Sequence, residues 1–149
     1  MVYLQDSKIK IESADQVAKV FQDLLLLEDK IDQAKEHFYV MHLDIRSRVN
    51  LVELVSLGNL SSSIVHPRET FRRAVILGSY SIIVGHNHPS GEPDPSEEDT
   101  KVTKLLFEAG QVLGIQLLDH IVFSETRFFS FRSNSTHPMS NTQQKGGET

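Results

Sequence analysis

The chain has 149 residues, of which 39% are hydrophobic and 23% are charged, a composition typical of one soluble globular domain. No apolar run approaches the ~20 residues that a membrane helix needs, which excludes a membrane-spanning protein. The formal net charge of -5 argues against a surface devoted to nucleic acid, because such surfaces usually carry a basic excess. We therefore expect no membrane partner, and we do not expect nucleic acid as the main partner.

Cysteine is absent from the chain, which excludes disulfides and zinc sites built on thiolates. The N-terminal residues contain no apolar segment of signal-peptide length. We therefore expect a cytoplasmic protein in which any metal is held by histidine and carboxylate side chains.

The first half of the chain predicts a helix followed by a β-hairpin. Ser13 begins a capping pattern, and an apolar stripe at helical spacing follows it. The segments HFYVMHLD and LVELVSLG are rich in strand-forming residues and are separated by the polar turn IRSRVN. The alternation around Glu53 predicts that its side chain faces solvent, and we expect His37 and His42 to lie at the solvent or sheet surface.

The second half predicts a helix from about Arg68 to Gly78, then a buried central strand, YSIIVGH. A proline-rich loop leads to a helix that begins at Ser96 and stops at Gly110, and two closing strands follow. We expect one domain over residues 1–133, with its core at about 36–131, and a disordered tail over 134–149. The fold class is α/β (α+β layered), with a mixed sheet flanked by helices.

The segment VGHNHPSGEPDPSEED carries the strongest functional signal. His86 and His88 are two residues apart, so an extended chain directs both imidazoles to the same side. Asp99 lies eleven residues after His88, in the first turn of the predicted helix, where it can supply a third ligand to a divalent ion. Ser96 would lie beside that ion. The sequence also permits a purely structural interpretation, in which Ser96 and Asp99 only cap the helix and the histidines are near acids by chance.

The residues His86-Asn87-His88-Pro89, followed by Ser96 and Asp99, resemble the H-x-H-P and S-x-x-D signature of the JAMM (MPN, JAB) metalloproteases. HPRETF and LLDHIVF indicate similarity to the RadC-like branch, over about residues 36–131. Members of this branch generally carry a helix-hairpin-helix region at the N-terminus, and only some 35 residues precede Glu36 here. The resemblance therefore predicts a short form without that region, with the cytidine-deaminase-like JAMM architecture.

The resemblance implies a zinc metallopeptidase or isopeptidase that acts on a protein or peptide substrate. It implies that His86, His88 and Asp99 bind one Zn²⁺ per chain, although another divalent metal also suits these ligands. It implies that Ser96 hydrogen-bonds the oxyanion, and that a glutamate before the first strand serves as general base, which best matches Glu36.

Other glutamates and one Asp-His pair are weaker candidates. Glu53 ranks second as the general base, and Glu69 ranks third because an acid at the start of a helix has a simpler structural explanation. Asp119 and His120 resemble a family motif that would orient a ligand histidine from behind, and a structural role is the alternative.

Two other functions stay open at this stage. The first is a DNA repair or recombination accessory of the RadC type, and the second is a non-catalytic MPN scaffold. The complete ligand set disfavours the scaffold, and the acidic charge disfavours the DNA-directed role. A zinc nucleotide deaminase is excluded because its C-x-x-C ligands need cysteine.

Overall fold

The computed structural model describes residues 1–4 and 8–140, in which a seven-stranded mixed sheet is flanked by helices. The spatial order of the strands is β1-β3-β2-β4-β5-β6-β7. The strands are β1 (Val2–Leu4), β2 (His37–Leu43), β3 (Val49–Leu57), β4 (Ser81–Asn87), β5 (Gln116–Phe123), β6 (Arg127–Ser130) and β7 (Ser135–Pro138). The helices are α1 (Ala14–Leu26), α2 (Lys30–Gln33), α3 (Pro67–Thr70), α4 (Arg72–Leu77) and α5 (Glu97–Leu113). The predicted fold class is confirmed.

Both faces of the sheet are covered, so the protein has two apolar cores. On one face, α1 packs its apolar stripe, including Phe21, against Tyr39, Met41 and Ile83. On the other face, the core joins Phe38, Val40 and Val84 to residues of α4 and α5. Alternate residues of each central strand therefore enter different cores, and β2 and β4 are buried throughout.

The pairing of β2 with β4 sets the geometry of the site. The predicted hairpin of β2 and β3 is present, and β4 lies antiparallel on the other side of β2. Phe38 is opposite His86, so the beginning of β2 lies beside the end of β4. Glu36, just before β2, is thereby brought to the strand end that carries the histidines.

The helix α5 makes the crossover between the parallel strands β4 and β5. Its expected stop at Gly110 is wrong, because the helix continues to Leu113 and ends at Gly114, which has φ of +72°. Gly110 is buried, and a Cβ there would collide with the carbonyl oxygen of Ile115 and press on the Phe71 ring. This glycine therefore permits close packing of α5, and it does not end the helix.

The helix expected from about Arg68 is divided into α3 and α4 at the buried residue Phe71. It ends as predicted at Gly78, whose φ of +66° is left-handed. Pro67 occupies the first helical position, where its missing N–H costs nothing.

Three surface predictions are wrong for one reason. His37, His42 and Glu53 are all buried, with His42 fully enclosed. Alternation along a strand identifies a solvent-facing side only when one face of the sheet is open, and here helices cover both faces.

The expected tail from residue 134 is also partly wrong, because Ser135–Pro138 form β7 and pair with β6. Residues 141–149 of that expected tail lie outside the described residues. Within the described part of the chain, no helix is long and apolar enough to cross a bilayer.

Candidate metal centre

The two histidines lie at the end of the central strand β4. His86 is 1% exposed and occupies the same face as Val84, toward α5. His88 follows the last strand residue and is partly buried. Their rings meet edge to face with centroids 5.0 Å apart. The strand end therefore directs both imidazoles to one place, as the spacing predicts.

The start of α5 supplies the carboxylate. Ser96 is the N-cap, and its hydroxyl oxygen accepts a hydrogen bond from the backbone N–H of Asp99 at 3.1 Å. In return, Oδ2 of Asp99 accepts from the backbone N–H of Ser96 at 2.8 Å. This reciprocal capping box fixes the rotamer of Asp99, which is 1% exposed. The same local pattern that begins the helix thus orients the predicted third ligand.

His86, His88 and Asp99 form one compact donor set. Each offers a ligand atom, and these atoms lie within 4.8 Å of one another. Nε2 of His88 is 3.0 Å from Oδ2 of Asp99, and Nε2 of His86 is 3.7 Å from Oδ1 of the same carboxylate. The carboxylate therefore presents one oxygen to each imidazole.

The loop before α5 fixes the orientation of His88. Its Nδ1 lies 2.9 Å from the backbone carbonyl of Glu92. Because a carbonyl only accepts, Nδ1 carries a proton, and Nε2 is the ring nitrogen that faces Asp99 and the site. The Glu92 carboxylate accepts a hydrogen bond from Arg127 at 2.8 Å, which ties this loop to β6.

The electrostatics of the three residues agree with their burial and their mutual contacts. Burial lowers the pKa of His86, even though the charges of Asp99 and Glu36 act in the opposite direction. Burial also disfavours charged His88, but hydrogen bonds to Asp99 and to the Glu92 carbonyl outweigh it and raise the pKa. Burial raises the pKa of Asp99, yet hydrogen bonds from His88 and Ser96 outweigh it and hold the pKa well below its usual range. Asp99 is therefore an anion at neutral pH.

Glu36 lies beside this donor set. Its Oε1 is 3.8 Å from Nε2 of His86, and its Oε2 accepts a hydrogen bond from the backbone N–H of Leu60 at 2.8 Å. The side chain is 27% exposed, so it meets both the site and solvent. One oxygen is thus anchored, while the other faces the donor set.

Asn87, between the two histidines, holds the Glu36 segment. Its side-chain oxygen accepts a hydrogen bond from the backbone N–H of His37, and its side-chain nitrogen donates to the carbonyl of Lys35 at 3.0 Å. The residues on either side of Glu36 are therefore clamped by one buried amide. Our sequence analysis did not identify this role, and the only signal for it was a polar residue in a motif that follows an apolar strand.

The remaining candidates lie elsewhere. Glu53 contacts His42 and Arg73, and Glu69 is exposed in the first turn of α3. Asp119 accepts hydrogen bonds from the Ser130 hydroxyl at 2.6 Å and from the backbone N–H groups of His120 and Arg132 at 2.8 and 3.0 Å.

His120 is fully buried on β5, and its Nδ1 lies 2.6 Å from the hydroxyl of Thr103. The two side chains of the Asp-His pair therefore have different partners: the Asp119 carboxylate binds Ser130 and backbone N–H groups, and the His120 ring contacts Thr103 of α5.

An open cleft of about 570 Å³ gives access to the donor set. The lining includes Glu36, Leu60, His88, Pro89 and Ser96. A cleft of this size accommodates a chain segment or a small molecule next to the histidines.

The donor set fits a divalent metal ion. Two imidazole nitrogens and one carboxylate are ligands typical of catalytic zinc, which keeps a further position for water or substrate. The Nδ1 proton of His88 is directed away from the site by the Glu92 carbonyl, as is usual for a metal-binding histidine, so Nε2 would be the ligand atom. His86, His88 and Asp99 could therefore hold a metal ion.

Comparison with known proteins places the candidate metal centre within a recognised domain family. Residues 11–136 match the family model of the RadC-like JAB domain. A UPF0758 protein of Caldanaerobacter subterraneus is 47% identical over 108 residues, which is 72% of this chain and 46% of that protein. A UPF0758 protein of Methanococcoides burtonii is 40% identical over 131 residues, which is 88% of this chain and 55% of that protein.

The chain spans about half the length of the curated relatives it matches. The JAB domain is a metallohydrolase type of domain, and the donor set at the end of β4 is consistent with that type. The family match covers most of the chain, including every residue of the candidate metal centre. This chain belongs to the RadC-like JAB domain family.

Proposed function

We propose that this chain is a zinc-dependent hydrolase that cleaves peptide or isopeptide bonds. The observation that carries the proposal is the position of Glu36, whose carboxylate lies beside the donor set without belonging to it. A bound zinc ion would lower the pKa of a water molecule toward ~7 and polarise the carbonyl of the scissile bond. Because the chain spans about half of its relatives, the proposal concerns the chemistry of this domain.

Glu36 has the geometry of a general base. The N–H of Leu60 holds its Oε2, and the Asn87 clamp fixes the backbone on both sides, so Oε1 is directed to the cleft. In this role Oε1 takes a proton from the attacking water and returns it to the leaving amine, a task that contributes typically ~10²–10⁴-fold. The partly exposed side chain also borders the cleft through which a substrate would enter.

Ser96 has a free proton for a developing oxyanion. Its hydroxyl oxygen accepts the hydrogen bond from Asp99, which leaves the O–H available as a donor on the exposed side. A single donor aimed at negative charge in the transition state accounts for roughly 10²–10³-fold in rate. Ser96 therefore joins helix capping to transition-state stabilisation.

The test is a comparison of Glu36→Gln with the wild-type protein after zinc loading. We expect the variant to keep one zinc per chain, because Glu36 is not a ligand, and to lose hydrolysis by about 10²-fold or more. Both proteins are assayed on a panel of peptides, isopeptide-linked peptides and DNA, with zinc content measured on the same samples. Glu69→Gln, an exposed glutamate outside the cleft, is the control and should retain full activity.

Several outcomes would contradict the proposal. Full turnover by Glu36→Gln would remove the general-base role from Glu36. Cleavage of DNA in place of peptides would favour the repair role of the RadC type. Loaded wild-type protein that hydrolyses no member of the panel would favour the MPN scaffold.

A further inference from the structure

His120 lies behind the candidate ligands, between the strand of one and the helix of another. In the parallel pairing of β4 with β5, His120 is opposite Val84 and Val122 is opposite His86. Residues two apart share a face, so His120 and His86 lie on the same side of the sheet as diagonal neighbours. His120 is fully buried and packs its ring against Phe38 and Phe131.

The hydrogen bonds of Thr103 determine which nitrogen of His120 carries a proton. The Thr103 hydroxyl lies 2.7 Å from the backbone carbonyl of Asp99 and 2.6 Å from Nδ1 of His120. The carbonyl only accepts, so the single hydroxyl proton goes to Asp99 when both contacts are hydrogen bonds. Nδ1 of His120 must then donate to Thr103, which leaves Nε2 as an acceptor.

His86 presents the complementary group. Its Nε2 faces Asp99 and Glu36, so metal binding through that atom requires the proton to be on Nδ1. Among the described residues, Nδ1 of His86 and Nε2 of His120 are both buried without a hydrogen-bond partner. One is a donor and the other is an acceptor, and both belong to the same face of adjacent strands.

We propose that His120 is a positioning residue for the metal site, whose Nε2 accepts a hydrogen bond from Nδ1–H of His86 once a small side-chain movement or one buried water closes the gap between them. The inference rests on the metal site of the proposed function. In this arrangement, His120 connects the strand that carries His86 to the helix that carries Asp99.

The surroundings of His120 support this role. Burial lowers its pKa to about 3, so the ring is neutral at ordinary pH and keeps one donor and one acceptor. A buried polar atom without a partner costs free energy, so a shared hydrogen bond satisfies both nitrogens at once. The backbone of His37 also lies near His86 and acts to raise its pKa, so the His37 carbonyl is the competing acceptor for Nδ1–H.

The first experiment measures zinc affinity by competition with a chromophoric chelator. We expect His120→Leu to weaken zinc binding about 10- to 100-fold, the usual effect of removing a partner of a ligand histidine. His120→Gln should recover part of this loss, because its side-chain oxygen can accept a hydrogen bond in place of Nε2. The matched control is His137→Leu, the same change at a histidine of β7 that packs on Phe128 outside the donor set, and it should leave zinc affinity unchanged.

The second experiment determines which imidazole nitrogens carry protons, and it does not depend on activity. Long-range ¹H–¹⁵N correlation spectra of the wild-type protein should show His120 protonated on Nδ1, and His86 protonated on Nδ1 after zinc loading. If His120→Leu does not fold, Thr103→Val tests the same link, and we expect it to shift the His120 tautomer and weaken zinc binding.

Two results would overturn the inference. One is a His120 protonated on Nε2, and the other is unchanged zinc affinity in a folded His120→Leu, which would assign Nδ1–H of His86 to the His37 carbonyl. Loaded wild-type protein that binds zinc but hydrolyses nothing would contradict only the proposed function, since the differences in affinity would persist.

Discussion

At the residue scale, the helix-capping role of Ser96 and its proposed catalytic role can be separated by experiment. Its oxygen accepts the hydrogen bond that caps α5, and its proton is available to the cleft. Serine, asparagine and aspartate are all good caps, but only serine accepts and donates through the same atom.

We predict that Ser96→Ala costs about 1 kcal/mol of unfolding free energy and slows hydrolysis by roughly 10²-fold. Ser96→Gly is the informative companion, because glycine at an N-cap costs only a few tenths of a kcal/mol. The glycine variant should therefore show near-normal stability in denaturant unfolding but slow turnover. Normal turnover in both variants would leave Ser96 only its structural role.

The parts of the site that were predictable from sequence are those set by local geometry. Two-residue spacing brings His86 and His88 together, and the capping box places Ser96 and Asp99 at one helix end. Glu36 depends on the antiparallel pairing of β2 with β4, for which the family pattern was the guide. The roles of Asn87 and Thr103 depend on side-chain contacts across the fold, which spacing along the chain does not encode.

At the scale of elements, α5 packs close to the start of β5 because Gly110 has no side chain. Gly110 approaches the backbone of Ile115, and its carbonyl accepts the N–H of Ile115 at 3.0 Å. The same helix carries Asp99 at its other end, so the way α5 packs on the sheet affects the position of the donor set.

We predict that Gly110→Ala destabilises the protein by about 1–3 kcal/mol, the usual cost of overpacking. Alanine has the better helix propensity by about 1 kcal/mol, so a net loss would report the collision with Ile115 and Phe71. Urea unfolding measures the change, and Gln111→Ala, on the exposed side of the same helix, is the control. A Gly110→Ala protein as stable as the wild type would mean that α5 can move without cost.

The expectation that Glu53 faces solvent is wrong, and the packing of the elements explains why. Its neighbours Val52 and Leu54 pack in the core under α1, so Glu53 points to the opposite face, as alternation requires. That face is covered by α4, and Arg73 donates to the Glu53 carboxylate at 2.7 Å. The sequence specifies the alternation, but whether a second layer covers the face depends on how the helices dock.

Across the whole molecule, Glu53 connects the sheet to the helical layer. Its carboxylate lies 3.1 Å from Nε2 of His42 and also binds Arg73, and Nδ1 of His42 lies 3.2 Å from the Ser79 hydroxyl. Burial raises the pKa of Glu53, but the hydrogen bonds to His42 and Arg73 outweigh it and lower the pKa overall. The charged carboxylate is thus favoured more in the folded state than in the unfolded chain.

We predict that this carboxylate stabilises the fold at neutral pH and that its contribution is lost in acid. Because the folded pKa is below the unfolded value of ~4.3, the stabilisation is complete above that value and disappears as pH falls through the folded pKa. Unfolding free energies of wild type and Glu53→Gln should therefore differ at pH 7 and converge as the pH falls below the lowered pKa of Glu53 in the folded state. The exposed Glu69→Gln is the control, and a constant difference for Glu53→Gln across pH would contradict the prediction.

The candidate metal centre draws its donors from parts of the chain that only the folded state brings together, namely the end of β4, the loop after it and the start of α5. An unfolded chain offers no such arrangement, so an ion that binds there shifts the folding equilibrium by mass action. At a free ion concentration of 100 times the Kd, the folded state gains about 2.7 kcal/mol. Metal supply would then affect the stability of the fold as well as any activity, and a chelator would lower the free energy of unfolding.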